Sequence, residues 1–128
     1  MVDYIRSEAT RAAGLPFSDA VRVGDVLYLS GQMGVTPGTK MLVPGGMRAQ
    51  ARQAMDNIGA TLSANGLSFD AIFKATLMLA DMSDWPAFNE VYVGYFKPDR
   101  LPARSAFGAA GLALDGRVEI EVMAWAGK

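Results

Sequence analysis

Apolar residues follow two spacings along the chain, one typical of helices and one typical of strands. Between residues 47 and 65 they recur every three or four positions, which predicts an amphipathic helix. A second helical stretch, from about residue 84 to residue 96, is rich in aromatic side chains. The other apolar runs are short and predict strands at residues 3–7, 17–23, 26–30, 69–80, 104–109 and 117–126.

Glycine and short polar residues mark the ends of these elements. Gly24-Asp25 separates two β-prone runs and predicts a type II′ hairpin with glycine first. Asn65-Gly66 predicts the end of the first helix, because glycine tolerates the left-handed conformation there. Ser83 or Asp84 can cap the second helix. Gly59 lies inside the first helix at a cost of roughly 1 kcal/mol relative to alanine, which indicates a close packing contact.

The order of these elements predicts an α+β fold in a single domain, residues 1–128. The order is β-β-α-β-α-β-β with a further short strand at the N-terminus, which suits one mixed sheet with both helices on one face. We interpret residues 8–16 as a connecting segment and residues 34–46, rich in glycine and proline, as a mobile loop. Residues 26–29 and 117–126 are apolar on both sides, so the other sheet face also needs a cover. A symmetric homo-oligomer is the simplest cover, and a monomer with a polar outer face is less favoured.

Composition removes several classes of mechanism and of partner. The chain has 128 residues and contains neither cysteine nor histidine. These absences exclude Ser–His and Cys–His nucleophile pairs and zinc sites of the usual N/S type. The net charge is −1 with no basic run, which disfavours nucleic-acid binding. With no secretory signal and no apolar stretch of about 18 residues, we expect a cytoplasmic protein without membrane, metal or cofactor.

Arg104, Glu119 and Glu121 are the charged residues that remain as candidates for chemistry. Arg104 follows Pro102 at the start of a short strand, and a planar guanidinium is the side chain best suited to hold a carboxylate through two hydrogen bonds. The alternative is a surface arginine beside a turn. Glu119 and Glu121 alternate with apolar residues, so both carboxylates lie on one face of a strand. That face can equally be a solvated one.

Two further segments place polar groups near the ends or faces of predicted elements. Ser30-Gly31 ends the third predicted strand and offers backbone amides to a ligand, although an ordinary strand end with a glycine bend explains it as well. Asn89 lies among the aromatic residues of the second helix, where an amide either completes a buried network or contacts a ligand. The spacing of the residues favours neither alternative.

Segments throughout the chain resemble the RidA/YjgF family of reactive-intermediate deaminases. The resemblance covers about residues 14–126. Its main motifs are, in chain order, Pro16-Phe17-Ser18-Asp19-Ala20-Val21, Val23-Gly24-Asp25, Leu29-Ser30-Gly31-Gln32, Phe88-Asn89-Glu90-Val91-Tyr92, Pro102-Ala103-Arg104-Ser105 and Val118-Glu119-Ile120-Glu121. It implies a chorismate-mutase-like α+β fold and a homotrimer with three clefts between subunits.

The same resemblance implies an activity and a set of site residues. Archetypal members hydrolyse reactive 2-imino and 2-enamino acids, such as 2-aminoacrylate, to 2-keto acids and ammonia, and no metal or cofactor is implied. Arg104 matches the arginine that binds the substrate carboxylate, and Glu119 matches the glutamate that positions or activates the attacking water. Further positions match residues that line or border the cleft: Phe17, Ser30, Gly31, Asn89 and Ala106. Glu121 matches no assigned catalytic position.

Two positions depart from the family archetype. Phe17 stands where the archetype has tyrosine, and Ala106 stands where it has cysteine. The resemblance implies that backbone groups make the contacts at the second position, so deamination remains the leading hypothesis, with a different or broader substrate or a slower rate. The first alternative is a non-catalytic protein that binds small carboxylates. An endoribonuclease, an activity attributed to some relatives, is less favoured because the chain is slightly acidic and lacks histidine.

Overall fold

Six strands form one mixed sheet in the computed structural model, which describes residues 1–128. They are β1 (Val2–Ile5), β2 (Ala20–Val23), β3 (Val26–Leu29), β4 (Ile72–Leu79), β5 (Ala103–Gly108) and β6 (Val118–Trp125). Their order across the sheet is β1-β2-β3-β6-β4-β5. Strands β4 and β5 run parallel, and all other neighbours are antiparallel. The predicted α+β class and the mixed sheet are confirmed.

Three helices connect these strands. The two longer ones, α2 (Gly46–Ala64) and α3 (Trp85–Tyr92), coincide with the predicted helical stretches. The shortest, α1 (Glu8–Ala12), falls in the segment that we interpreted as a plain connection, so that interpretation is wrong. Ser7 caps α1, because its side chain accepts the backbone N–H of Thr10 at 3.2 Å. None of the three helices combines the length and the apolar character needed to cross a bilayer.

The capping chemistry predicted for α3 is wrong. Asp84 precedes the helix but makes no capping hydrogen bond. Its carboxylate instead accepts a hydrogen bond from Arg117 Nη2 at 2.7 Å. Ser83 donates its backbone N–H to the carboxylate of Asp81 in the short turn before the helix. The side chain of Asp84 therefore ties the start of α3 to the start of β6.

Helices α2 and α3 cover one face of the sheet and enclose the hydrophobic core. Buried and open positions alternate on β6, so Val118, Ile120 and Val122 point toward the helices. The helices contribute fully buried side chains to this core: Met55, Ile58, Leu62 and Phe88. Inside α2, a Cβ added to Gly59 would lie 3.0 Å from the ring of Phe69. The close packing contact predicted at this glycine is confirmed.

The opposite face of the sheet, here called the open face, has no helix over it. Tyr4, Tyr28, Phe107 and Trp125 lie on this face by register and are between 42% and 76% exposed. A wide exposed apolar area is typical of a surface that binds another protein. The prediction of apolar side chains on both faces is confirmed for residues 26–29, whereas β6 carries Glu119 and Glu121 on the open face.

Candidate active site

Arg104 lies on the edge strand β5 with its side chain on the helix-covered face. It pairs in register with Ala75 of β4, which is fully buried beneath the helices, and directly paired residues share a face. Its Nη2 donates a hydrogen bond to Oδ1 of Asn89 on α3 at 2.7 Å. No carboxylate of the chain forms an ion pair with it. A half-buried cation that is held in place without a counter-charge is suited to bind an external carboxylate.

Two aromatic rings of α3 lie against the same guanidinium. The Cζ atom of Arg104 is 4.8 Å from the ring centroid of Tyr92 and 5.7 Å from that of Phe88. These distances permit cation–π attraction. The hydroxyl of Tyr92 is buried without a hydrogen-bond partner, and burial raises its pKa. The ring of Tyr92, and not its hydroxyl, therefore supports Arg104.

Glu119 lies on β6 with its side chain directed away from the core. Burial raises the pKa of its carboxyl group above the ordinary value of 4.5, and the nearby charge of Glu121 raises it further. A carboxylate with a raised pKa is a stronger base than an exposed one at neutral pH. Glu119 is half-buried and Glu121 is exposed, so only the first has lost a large part of its hydration.

Gly31 provides the space that the carboxylate of Glu119 occupies. The N–H of Gln32 donates to the carbonyl of Ile120 at 2.7 Å, and the N–H of Ile120 donates to the carbonyl of Gln32 at 2.9 Å. These two bonds hold the chain that leaves β3 beside β6. A Cβ on residue 31 would overlap Glu119 Oε2 and lie 3.1 Å from its Cδ. Any residue larger than glycine would therefore displace the carboxylate.

Phe17 and Ser30 border the same region. The Ser30 hydroxyl donates to the carbonyl of Ser18 at 2.6 Å, which ties the segment before β2 to the end of β3. Phe17 is 45% exposed, and it lines a cavity of about 510 Å³ together with Gly31 and Glu119. This volume lies within the range of small-molecule sites.

The predicted site residues form two groups within one chain. The arginine group consists of Arg104, Asn89 and Ala106, which lie at the edge strand on the helix-covered side. The glutamate group consists of Phe17, Ser30, Gly31 and Glu119. Register places Arg104 beside buried Ala75 and Glu119 beside Met78, so the two charged side chains point to opposite faces of the sheet. A single chain does not bring them together.

Comparison with known proteins identifies the family. Residues 7–126 match the family model described as Endoribonuclease L-PSP. The 2-iminobutanoate/2-iminopropanoate deaminase of Capra hircus is 46% identical over 125 residues, which is 97% of this chain and 90% of that protein. The chain belongs to the RidA/YjgF family. Two crystal structures agree with this assignment. RidA from the Antarctic bacterium Psychrobacter sp. PAMC 21119 has a TM-score of 0.87 at 38% identity, covering 96% of this chain and 98% of that one. The yeast protein YEO7 has a TM-score of 0.90 at 35% identity, covering 99% and 100% of the two chains.

Membership of the RidA/YjgF family confirms the resemblance drawn from the motifs, while the roles of individual residues stay predictions.

Two features of this RidA/YjgF chain were not predicted from its sequence. Buried Asp19 accepts hydrogen bonds from the Ser7 N–H at 2.9 Å and from the Thr10 hydroxyl. Leu114 and Asp115 adopt left-handed φ angles of 60° and 58°. The capping pair Ser7 and Thr10 had a recognisable spacing. Asp115-Gly116 predicted a turn, but nothing local marked the left-handed conformation of Leu114.

Proposed function

We propose that this RidA/YjgF chain hydrolyses reactive 2-imino and 2-enamino acids to 2-keto acids and ammonia. The proposal depends mainly on the environment of the Arg104 guanidinium. Asn89 and the aromatic rings of Phe88 and Tyr92 hold this group in place, and no carboxylate of the chain neutralises its charge. The name of the goat relative, a 2-iminobutanoate/2-iminopropanoate deaminase, supports the same activity. Both substrates in that name are small carboxylates with a C=N bond.

The chemistry requires an anchored carboxylate, a protonated imine and one placed water. Arg104 donates two hydrogen bonds to the substrate carboxylate and fixes the position of C2. Glu119 accepts a proton from water as the water oxygen bonds to C2, which gives a carbinolamine. Glu119 then returns that proton to nitrogen. The C–N bond breaks as the C=O bond forms, and the hydroxyl proton leaves with ammonia as ammonium.

The opposite directions of Arg104 and Glu119 support a site shared between chains. We place the arginine group of one subunit against the glutamate group of its neighbour in a homotrimer, with three clefts. The apolar open face supports this assembly because it offers an interface that the chain itself does not cover. The cytoplasmic location and the single-domain organisation stay predictions.

The activity is tested with imines generated in situ by an amino-acid oxidase, with semicarbazide as the competing trap. The wild-type protein should divert imine from semicarbazide to the keto acid, and Arg104→Ala should lose this effect. Arg48→Ala is the matched control, since Arg48 forms an exposed ion pair with Glu90 on the outer surface. Equal imine consumption by wild type and Arg104→Ala would show that the assigned site is wrong.

Mixing two inactive variants tests whether the site is shared. Arg104→Ala retains Glu119, and Glu119→Gln retains Arg104, so some clefts in a mixed trimer regain both groups. Each group is intact in half of the subunits, so random pairing at equal ratio restores about one quarter of the clefts. Unfolding and refolding the two variants together should recover that fraction of wild-type activity. No recovery would place both groups in one chain or exclude one of them from the site.

The same experiments separate the two alternative functions. A non-catalytic carboxylate-binding protein would be stabilised by 2-ketobutyrate in an Arg104-dependent manner but would leave imine hydrolysis at the uncatalysed rate. RNA cleavage is named in the description of the family model. The net charge of −1 disfavours it, because binding to a polyanion depends on neutralising phosphates. RNA cleavage by the wild type that is lost in Arg104→Ala would restore this alternative.

A further inference from the structure

The turn before β6 contains two consecutive residues in a conformation that favours glycine. Leu114 and Asp115 have φ angles of 60° and 58°. Aspartate tolerates this region, whereas leucine rarely adopts it. L-residues rarely occupy this region, because Cβ approaches the following carbonyl oxygen. Backbone strain of this kind persists only where the surrounding structure enforces it, and it is most frequent at functional sites. Contacts from the surrounding structure must therefore hold this turn, and the turn is expected to position a side chain at a functional site.

Contacts on both sides of the turn hold it in place. The side chain of Met33 packs so closely on Gly116 that any Cβ at residue 116 would overlap the methionine methyl group. On the other side, Gln50 Oε1 accepts the backbone N–H of Arg117 at 2.9 Å, and the Arg117 guanidinium binds Asp84 at 2.7 Å. Helix α2, helix α3 and the loop after β3 thus fix the position of residues 113–116.

The turn places an apolar side chain in the cavity that Glu119 lines. Leu114 is 47% exposed, and it shares that cavity with Phe17 of the glutamate group. Leu15 and Met33 add further apolar surface to the same cavity. Large half-exposed apolar side chains around a cavity are typical of a site that binds an apolar group.

We propose that this cavity receives the side chain of the substrate, so that the chain prefers 2-imino acids with apolar side chains longer than methyl. The inference rests on the proposed deaminase activity and names Leu114 as a residue that determines specificity. A cavity of about 510 Å³ beside Glu119 is far larger than a methyl group. A longer side chain displaces water from Phe17 and Leu114, whereas a methyl group leaves most of that surface wet.

An acidic side chain is a less favoured occupant. Arg6 and Lys40 reach the cavity, but Arg6 Nη2 already donates to the carbonyl of Leu15 at 2.6 Å. Lys40 is exposed to solvent in the loop after β3. Neither cation is desolvated beside Glu119, so neither offers a strong site for a second carboxylate.

A graded series of substrates tests the inference. An amino-acid oxidase supplies the imines of alanine, 2-aminobutyrate, norvaline and norleucine, and semicarbazide competition gives kcat/KM for each. Burial of each added methylene should raise kcat/KM by about fourfold. Leu114→Gly should reduce this increase from one member of the series to the next. Glycine relieves the positive φ, so the variant is expected to fold. Met41→Ala, at an exposed position outside the cavity, is the control.

The outcomes separate this inference from the proposed activity. If the alanine-derived imine is hydrolysed but kcat/KM stays constant or falls along the series, the proposed activity stands and the proposed side-chain preference is wrong. A neighbouring copy that fills the cavity would produce this result. Faster turnover of the glutamate-derived imine than of the norleucine-derived imine also overturns it. If no imine is hydrolysed, thermal shifts with pyruvate and 2-oxohexanoate decide. Tighter binding of the longer acid, lost in Leu114→Gly, supports the cavity assignment, and equal binding refutes it.

Discussion

Replacing Gly31 by alanine should abolish most of the activity while leaving the fold intact. A Cβ at this position would lie 3.1 Å from Glu119 Cδ and 3.3 Å from its Cγ, and it would overlap Oε2. Contacts shorter than 3.0 Å do not persist, so the carboxylate must move by on the order of 1 Å. A misplacement of that size at a reacting group costs about a hundredfold in rate. The carboxylate is the free end of a flexible side chain, so its displacement adds little strain to the backbone.

The expected pattern is therefore a loss of kcat without a loss of stability. Semicarbazide competition with a 2-imino acid gives kcat and KM, and urea unfolding gives the free energy of unfolding. For Gly31→Ala we expect kcat to fall by about a hundredfold and the free energy of unfolding to change by less than about 1 kcal/mol. Gly94→Ala is the matched control, because a Cβ at residue 94 meets nothing within 4 Å and the backbone has no positive φ there. This control should retain wild-type kcat.

Two results would refute the reasoning about Gly31. If kcat of Gly31→Ala stays within threefold of the wild type, the orientation of Glu119 beside Gly31 is not the catalytic one. If the free energy of unfolding falls by several kcal/mol, the contact between Gly31 and Glu119 stabilises the fold, and the carboxylate of Glu119 cannot move aside for a Cβ at residue 31. Adding Glu119→Gln to Gly31→Ala distinguishes these cases further. A double variant no slower than Glu119→Gln alone indicates that both changes act on the same carboxylate.

Four further substitutions test the arginine group, its aromatic support and the glutamate group. Arg104→Lys retains the positive charge but loses the planar guanidinium, so kcat/KM should fall by about ten- to a hundredfold. Unchanged semicarbazide competition would contradict the binding of the substrate carboxylate through two hydrogen bonds. Tyr92→Phe removes a buried hydroxyl without a partner, so urea unfolding should show a gain of up to about 1 kcal/mol, whereas a loss would reveal a partner in the assembled protein. The pKa of Glu119 is raised in the folded state, so the Glu119 carboxylate binds a proton more readily in the native chain than in the unfolded chain. The free energy of unfolding therefore falls as pH rises from 4.5 through the raised pKa of Glu119. Glu119→Gln should therefore raise the melting temperature at pH 7 and lose this advantage below pH 4.5, and an equal gain at both pH values would exclude titration as the cause. The acid limb of wild-type kcat/KM should lie above pH 4.5, and Glu121→Gln should move it to lower pH.

Local signals were sufficient for most elements of this fold. The spacing of apolar residues predicted α2 and its end at Gly66, because amphipathic periodicity and a left-handed C-terminal residue are properties of neighbouring residues. The five-residue helix α1 escaped detection, because an element of that length has too few turns to show a period. Asp84 was an adequate cap by composition, and a distant arginine, Arg117, took its carboxylate instead.

The arrangement of the candidate site could not be obtained in the same way. The alternation of polar and apolar residues along one strand predicted that Glu119 lies on the opposite face from its immediate neighbours. The direction of the Glu119 side chain relative to that of Arg104 depends on the register of β4 with both β5 and β6. The hydrogen bond between Arg104 and Asn89 joins residues 15 positions apart on different elements. The turn that contains left-handed Leu114 packs through Gly116 against Met33, more than 80 positions earlier in the chain, and no short motif indicates this contact.

The separation of the arginine group from the glutamate group has a consequence for gene dosage and dilution. If each cleft takes one group from each of two chains, an isolated chain has no complete site, so specific activity should fall as the protein is diluted below the concentration at which it assembles. A copy defective in only one group disables one cleft of its trimer. A copy defective in both groups disables two clefts, and so the damage spreads beyond the mutant chain. In cells that produce both forms, a defect in both groups would therefore lower activity by more than the share of mutant protein alone.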